Sequence, residues 1–336
     1  MNRTSLLISL KILVFVLVAV LLGATCSSAV DLAAVQGEWT PPEGGAPITM
    51  WGFIADPGSC PAGPVAWDVG PVQTETPAGT LTINLRNCLS EPVSLVIPGQ
   101  NAILTPQIIV DGQGRERVTA FTHEAPADAG ATTTAYTWTN LKSGTFLYQS
   151  GSNPAKQIHM GLYGALTVGT YTGIMNEVLV LYSEIDPALH GTSSAATPLM
   201  YKPKYFLVNG EAYSAGQTIP VVVQGVAARK DLLIRFLNAG LMAHVPVMQG
   251  PHMKLVAEDG NAYPYARVQY SVLLAAGKTI DAVWSPYKTG TYALYDRSMS
   301  LSNNGAPGGG MLVYLDIDIK PFSWPMFIPA ITGAGL

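Results

Sequence analysis

The densest run of potential metal ligands is "LMAHVPVMQGPHM", Leu241 to Met253, which gathers Met242, His244, Met248, His252 and Met253. Thioether and imidazole are soft donors, and that pairing suits Cu(I) better than a hard cation. On a strand His244 and Met248 share a face, and a turn at Gln249 to Pro251 would return His252 beside them. His244, Met248 and His252 are therefore the candidate metal set, for weak Cu(I) binding. The alternative is that the polarizable methionines fill core and His244 hydrogen-bonds to backbone. His159 in "KQIHMGLYG" reads as a satisfied inter-domain or surface residue, and His123 and His190 as solvated loop residues with no second ligand close in sequence. Glu258 and Asp259 in "AEDGNAY" are adjacent, so a strand end points them to opposite faces, and the D-G-N turn chemistry argues against a paired-acid site. No G-x-S-x-G elbow supports a nucleophilic serine. No catalytic set emerges.

Strands must carry these residues. "GTLTINLRNCL", "TTTAYTWTNL", "GTFLYQS" and "LYGALTV" are strand-length, rich in β-branched and aromatic residues, and bounded by turn formers. No stretch after the N-terminal apolar run keeps a helical apolar period over three turns. A second series repeats the plan: "LRN" returns as "IRFLN", "SGTFLY" as "TGTYALY", and "LYGALTV" as "MLVYLDI". The reading is all-β, a duplicated β-sandwich domain. The expected layout is a signal peptide over 1–29, a first domain over 30–170, a connector over 171–204, a second domain over 205–320 and an apolar tail over 321–336.

Arg3 and Lys11 flank the apolar run Ile12 to Leu22, and "SSA" at Ser27 to Ala29 offers small residues for cleavage, as in an export signal. An eleven-residue run is short for a membrane span, so no transmembrane span is expected in the mature chain; a retained anchor is the alternative. Loss of Arg3 and Lys11 moves the formal net charge from −4 to −6, which gives no basic footprint for nucleic acid. Only 12% of residues are charged, against 34 Gly and 25 Pro, the balance of a turn-rich β protein with a quiet surface. Cys60 and Cys88 remain after cleavage, an even pair that reads as one disulfide, with two buried thiols as the alternative. The expected location is the periplasm, cell surface or extracellular space.

In order and spacing, "LTINLRNCLSEPVSL", "GTFLYQSG…GLYGALTV" and "IRFLNAGLMAHVPVMQGPHMKLVAEDG" resemble the multicopper oxidases, a cupredoxin-fold family, over most of residues 65 to 318. The resemblance implies two tandem cupredoxin-like Greek-key β-sandwich domains, where familiar laccases have three. It also implies copper ligands that this chain lacks. The first His-X-His falls at Val96 and Pro98, and the second at Gln149 and Gly151. The His-X-X-His-X-His run falls at His244, Val247 and Gln249, and the His-Cys-His strand at Tyr295, Asp296 and Arg297. Met311 matches a possible axial ligand, too weak to hold copper alone. Asp296 and Arg297 could form an ion pair in the former metal site.

The expectation is therefore a non-catalytic binding, scaffold or self-assembling subunit without a cofactor. A copper-dependent oxidoreductase, or its accessory subunit, is the alternative. The tail "PFSWPMFIPAITGAGL" carries Phe322, Trp324 and Phe327 as candidate interface anchors for a homo-oligomer or a cell-surface assembly partner.

Overall fold

A computed structural model describes residues 27–128, 130–190, 201–214, 221–226 (backbone only) and 230–317. Residues 1–26 of the expected signal peptide and the expected tail anchors Phe322, Trp324 and Phe327 lie outside the described residues.

The alternating segments form two sandwiches. In the first domain β1 (Ser27–Trp39), β2 (Ile48–Ala55), β3 (Gly70–Glu75), β4 (Thr80–Asn87), β5 (Leu95–Val96), β6 (Gln107–Val110), β7 (Glu116–Ala120), β8 (Thr134–Thr139), β9 (Gly144–Ser150) and β10 (Tyr163–Val168) follow in order. One sheet runs β2-β1-β4-β8 and the facing sheet β3-β10-β9-β5, while β6 and β7 make a separate hairpin. The second domain has β11 (Asn176–Ile185), β12 (Tyr205–Val208), β13 (Val221–Val226), β14 (Leu232–Asn238), β15 (Pro246–Met248), β16 (Met253–Glu258), β17 (Asn261–Gln269), β18 (Thr279–Trp284), β19 (Gly290–Asp296) and β20 (Leu312–Ile317). Its sheets run β12-β11-β14-β18-β16-β17 and β13-β20-β19-β15.

The strand orders superimpose: β1, β4 and β8 match β11, β14 and β18, and β3, β10, β9 and β5 match β13, β20, β19 and β15. In both domains the first strand pairs parallel with the "LRN" or "FLN" strand. The closing asparagine of each repeats one arrangement. Asn87 donates to Glu91 O and Ala125 O and accepts from Leu89 N. Asn238 donates to Met242 O and Leu274 O and accepts from Gly240 N. Both are fully buried, and satisfying every amide atom fixes the turn after the strand.

Two differences from the expected layout follow from pairing. Ser27, Ser28 and Ala29 of β1, within the expected signal peptide, pair with Thr80, Leu81 and Thr82 of β4. β11 falls in the 171–204 connector, but its pairing with both β12 and β14 puts it inside the second domain.

Each sandwich has its own apolar core, one around Trp138, Phe146 and Tyr148, the other around Phe236, Trp284 and Leu315. A third buried cluster, including Trp39, Trp67, Tyr163, Leu181 and Tyr205, fuses the domains. The backbones also touch. Gly144 and Gly260 both have positive φ, and a Cβ on Gly144 would lie 2.5 Å from Gly260 Cα, so glycine alone allows the approach. Cys60 and Cys88 are bonded as the sequence suggested, across a separation of 28 residues, a closure contributing about 3.6 kcal/mol in the chain-entropy picture.

Candidate functional site

His244 stands just before β15 and is completely buried. Its Nδ1 lies 3.0 Å from Asp296 Oδ2, at the end of β19, and its Nε2 lies 2.5 Å from Glu184 Oε1 on β11. β15 pairs with β19 with Pro246 opposite Asp296, which brings these two residues together across 52 positions of sequence. The imidazole thus bridges two carboxylates as an imidazolium with both N–H groups donating.

Every carboxylate oxygen has work. Glu184 Oε1 also accepts from Met242 N, and Oε2 accepts from Leu241 N and the Tyr201 hydroxyl. Asp296 Oδ1 accepts from Val245 N and Ser298 N. Burial works against charging His244, but the bonds to Asp296 and Glu184 outweigh it and raise its pKa to about 9. Burial likewise opposes the Asp296 carboxylate, yet His244 and the donors from Val245, Ser300 and Ser298 pull it down to about 2.

Gly240 makes room for the acid, since a Cβ there would sit 2.2 Å from Glu184 Oε2. Tyr182 lies over His244 with ring centroids 5.7 Å apart. Its hydroxyl is buried and finds no hydrogen-bond partner among the described residues. An unpaired buried hydroxyl costs about 1–3 kcal/mol, so Tyr182→Phe is expected to stabilise the protein by about 1 kcal/mol. Denaturant unfolding of parent and variant checks this, and a loss of stability would show that the hydroxyl is bonded after all.

The candidate metal residues are not gathered by the fold. Met248 packs in the second core, and His252 is exposed with its ring edge on Tyr270. His244, expected to bind copper or backbone, binds two carboxylates instead. Asp296 pairs with His244 rather than Arg297, which is exposed. Met311 is buried in the second core.

The first-domain positions that the resemblance assigned to histidines are closed by small and polar residues. A Cβ on Gly151 would meet Val96 Cγ1 at 2.8 Å and Ser94 Oγ at 2.9 Å, so an imidazole has no room there. Around it Ser152 Oγ bonds to Ser94 and Glu124, and Ser150 Oγ donates to Gln157. Among the described residues, no group of three or more His, Cys, Asp or Glu side chains is arranged to hold a metal ion. With no free thiol among the described residues, both His244 nitrogens taken and Gly151 walled in, these residues do not fit the family's coppers.

Other residues also differ from expectation. His190, expected to be solvated, is buried with its ring nitrogens facing Asp186 O at 2.9 Å and His159 O at 2.8 Å, because the short helix Pro187–His190 packs it against the first domain. Burial lowers its pKa and that of His159 beside it. His123 is half-buried and stacks on Tyr136 at 4.5 Å. Glu258 and Asp259 both reach one cation, Lys278, instead of diverging.

The family model described as multicopper oxidase matches residues 183–314, the span that holds Glu184, His244 and Asp296. The fold is also that of solved copper proteins. A blue copper oxidase from Nitrosomonas europaea is 16% identical with a TM-score of 0.70, covering 90% of this chain and 89% of that one. The multicopper oxidase mgLAC is 19% identical with a TM-score of 0.70, covering 90% of each chain. The chain is multicopper-oxidase-like. A copper nitrite reductase from Nitrosomonas europaea, 19% identical with a TM-score of 0.63 over 88% of this chain and 95% of that one, shares the same architecture. No curated relative matches the sequence. Asp296, which the resemblance set at the thiolate position, here accepts from the His244 imidazole. Sequence reasoning missed its third partner, Glu184, although an acid among the apolar residues of "EVLVLYSEID" was the available signal.

Proposed function

We propose that this chain is an exported, non-catalytic member of the multicopper-oxidase-like proteins, a binding or scaffold subunit that works as a homo-oligomer. The observation that carries the reading is the Glu184–His244–Asp296 bridge. It occupies the surviving ligand and the thiolate position with ion pairs whose acceptors are all engaged, so the site ties β11, β15 and β19 together in place of a metal. Such a triad braces structure and supplies no redox couple. Assembly is supported by surface chemistry. The β6–β7 hairpin and its approach leave Ile103, Ile108, Ile109, Val110 and Val118 more than half exposed, and the second domain does the same with Tyr265, Val268 and Leu273. Apolar surface of this kind on both domains suits association with further copies.

The reading is tested on purified full-length protein. After copper loading, no intense thiolate-to-copper absorption and no oxygen uptake with a phenol are expected, and native mass at tens of micromolar should exceed the monomer. A blue band or phenol oxidation would restore the oxidoreductase alternative. A monomer would remove the assembly.

A further inference from the structure

A cleft of about 570 Å³ opens on the second domain between the extended segment entering β12 and the loop after β19. That volume lies in the range of small-molecule sites. One wall is cationic. Burial alternates along Tyr201 to Lys204, so Lys202 and Lys204 stand on the same, exposed side of an extended chain. Neither ammonium has an ion-pair partner among the described residues, whereas Lys156 and Lys278 are each paired with acids. In a chain with 22 acidic residues against 18 basic ones, no carboxylate lines this cleft. Ser298 and Ser302 add hydroxyls, while the Ser300 hydroxyl is engaged with Asp296.

The other wall is apolar, formed by Phe206, Met242 and Met299. Met299 is 64% exposed and has φ +66°, a left-handed conformation uncommon outside glycine, asparagine and aspartate. The loop therefore carries backbone strain at the residue that places a long thioether side chain on the cleft wall. Three acids lie behind the lining residues, each buried and engaged: Glu184, Asp296, and Asp186, whose Oδ2 accepts from Lys202 N and whose Oδ1 accepts from Ala188 N. Met242 N and Ser298 N donate downward to Glu184 and Asp296, and the remaining acceptors serve His244, Tyr201, Leu241 and Val245. None of the three forms an ion pair with the Lys202 or Lys204 ammonium among the described residues, and the two lysines are the charged side chains that line the cleft.

We propose that this cleft binds a small amphipathic carboxylate, its head group between Lys202 and Lys204 and its apolar body against Phe206, Met242 and Met299. The lining contains no arginine to offer the planar fork that favours phosphate, and lysine acts as a point charge suited to a simple carboxylate. The assignment is independent of copper and of assembly.

The test is isothermal titration calorimetry of full-length protein with octanoate at low ionic strength. Saturable binding at one site per chain is expected, weakened at least tenfold in the double variant K202Q/K204Q and severalfold in Met299→Ser. Octan-1-ol should bind at least tenfold more weakly than octanoate. Both lysines are exposed, so the double variant should keep the parent's circular dichroism and melting temperature. Absence of saturable octanoate binding, parent-like affinity in the double variant, or equal binding of octan-1-ol would each overturn the assignment of an anion site. Unchanged affinity in Met299→Ser would overturn the apolar wall.

Discussion

Replacing His244 with alanine is expected to cost about 3–5 kcal/mol of stability, because it leaves two buried carboxylates facing a cavity with no cation between them. The parent's own pH dependence carries the same signature. His244 has its pKa raised to about 9 in the folded chain, so its contribution is complete below its unfolded value near 6.5 and is lost as pH rises through 9. The span corresponds to about 3 kcal/mol. Asp296 is depressed to about 2, so its contribution is complete above its unfolded value near 4 and fades as pH falls through 2. The bridge therefore favours the folded state most between about pH 4 and 6.5. Urea unfolding of parent and His244→Ala at pH 5.5, 7 and 9 checks both points. The difference between them should shrink toward pH 9, and a difference that stays constant from 5.5 to 9 would mean that His244 is neutral in its site.

The part of this arrangement legible in sequence was the part set by local pattern. "LRN" and "IRFLN" announced equivalent strands because a buried asparagine ends each with the same three bonds, and the alternating apolar residues of "SGTFLY" and "TGTYALY" gave the facing sheet. Cys60 and Cys88 followed from their being the even pair left once an export signal was expected to remove Cys26. The bridge was half legible: the family resemblance singled out both His244 and Asp296. Their union with Glu184 was not, because it depends on β11 lying parallel beside β14, a pairing between distant residues that periodicity does not encode. His190 was misread for a related reason. Its loop composition is polar, but the packing of one domain against the other buries it.

The second large effect is expected at Arg235, an isolated charge in the apolar run "LLIRFLN" and a residue no sequence pattern singled out. Its guanidinium is 1% exposed and joins both domains. Nη1 donates to Thr145 Oγ1 and Nη2 to Gly169 O in the first domain, while Nε and Nη2 bind Glu177 Oε2 in the second. Opposite it on β18, Asp281 accepts from Thr145 Oγ1 and the Tyr171 hydroxyl, with Arg235 Nη1 3.8 Å away. Burial raises the Asp281 pKa against the help of Thr145 and Arg235. Removing Arg235 would leave that carboxylate buried without a cation. Arg235→Ala is therefore expected to destabilise by about 3–5 kcal/mol, the cost of breaking one side of a buried pair. Because the lost bonds cross the domain seam, scanning calorimetry is expected to resolve two transitions in the variant and one in the parent. Glu177→Gln supplies the contrast. Its side chain is 40% exposed, so the change should cost no more than about 1 kcal/mol and leave the single transition intact. A parent-like single transition in Arg235→Ala would mean that the apolar cluster of Trp39, Trp67, Tyr163 and Tyr205 couples the domains without help from the polar network.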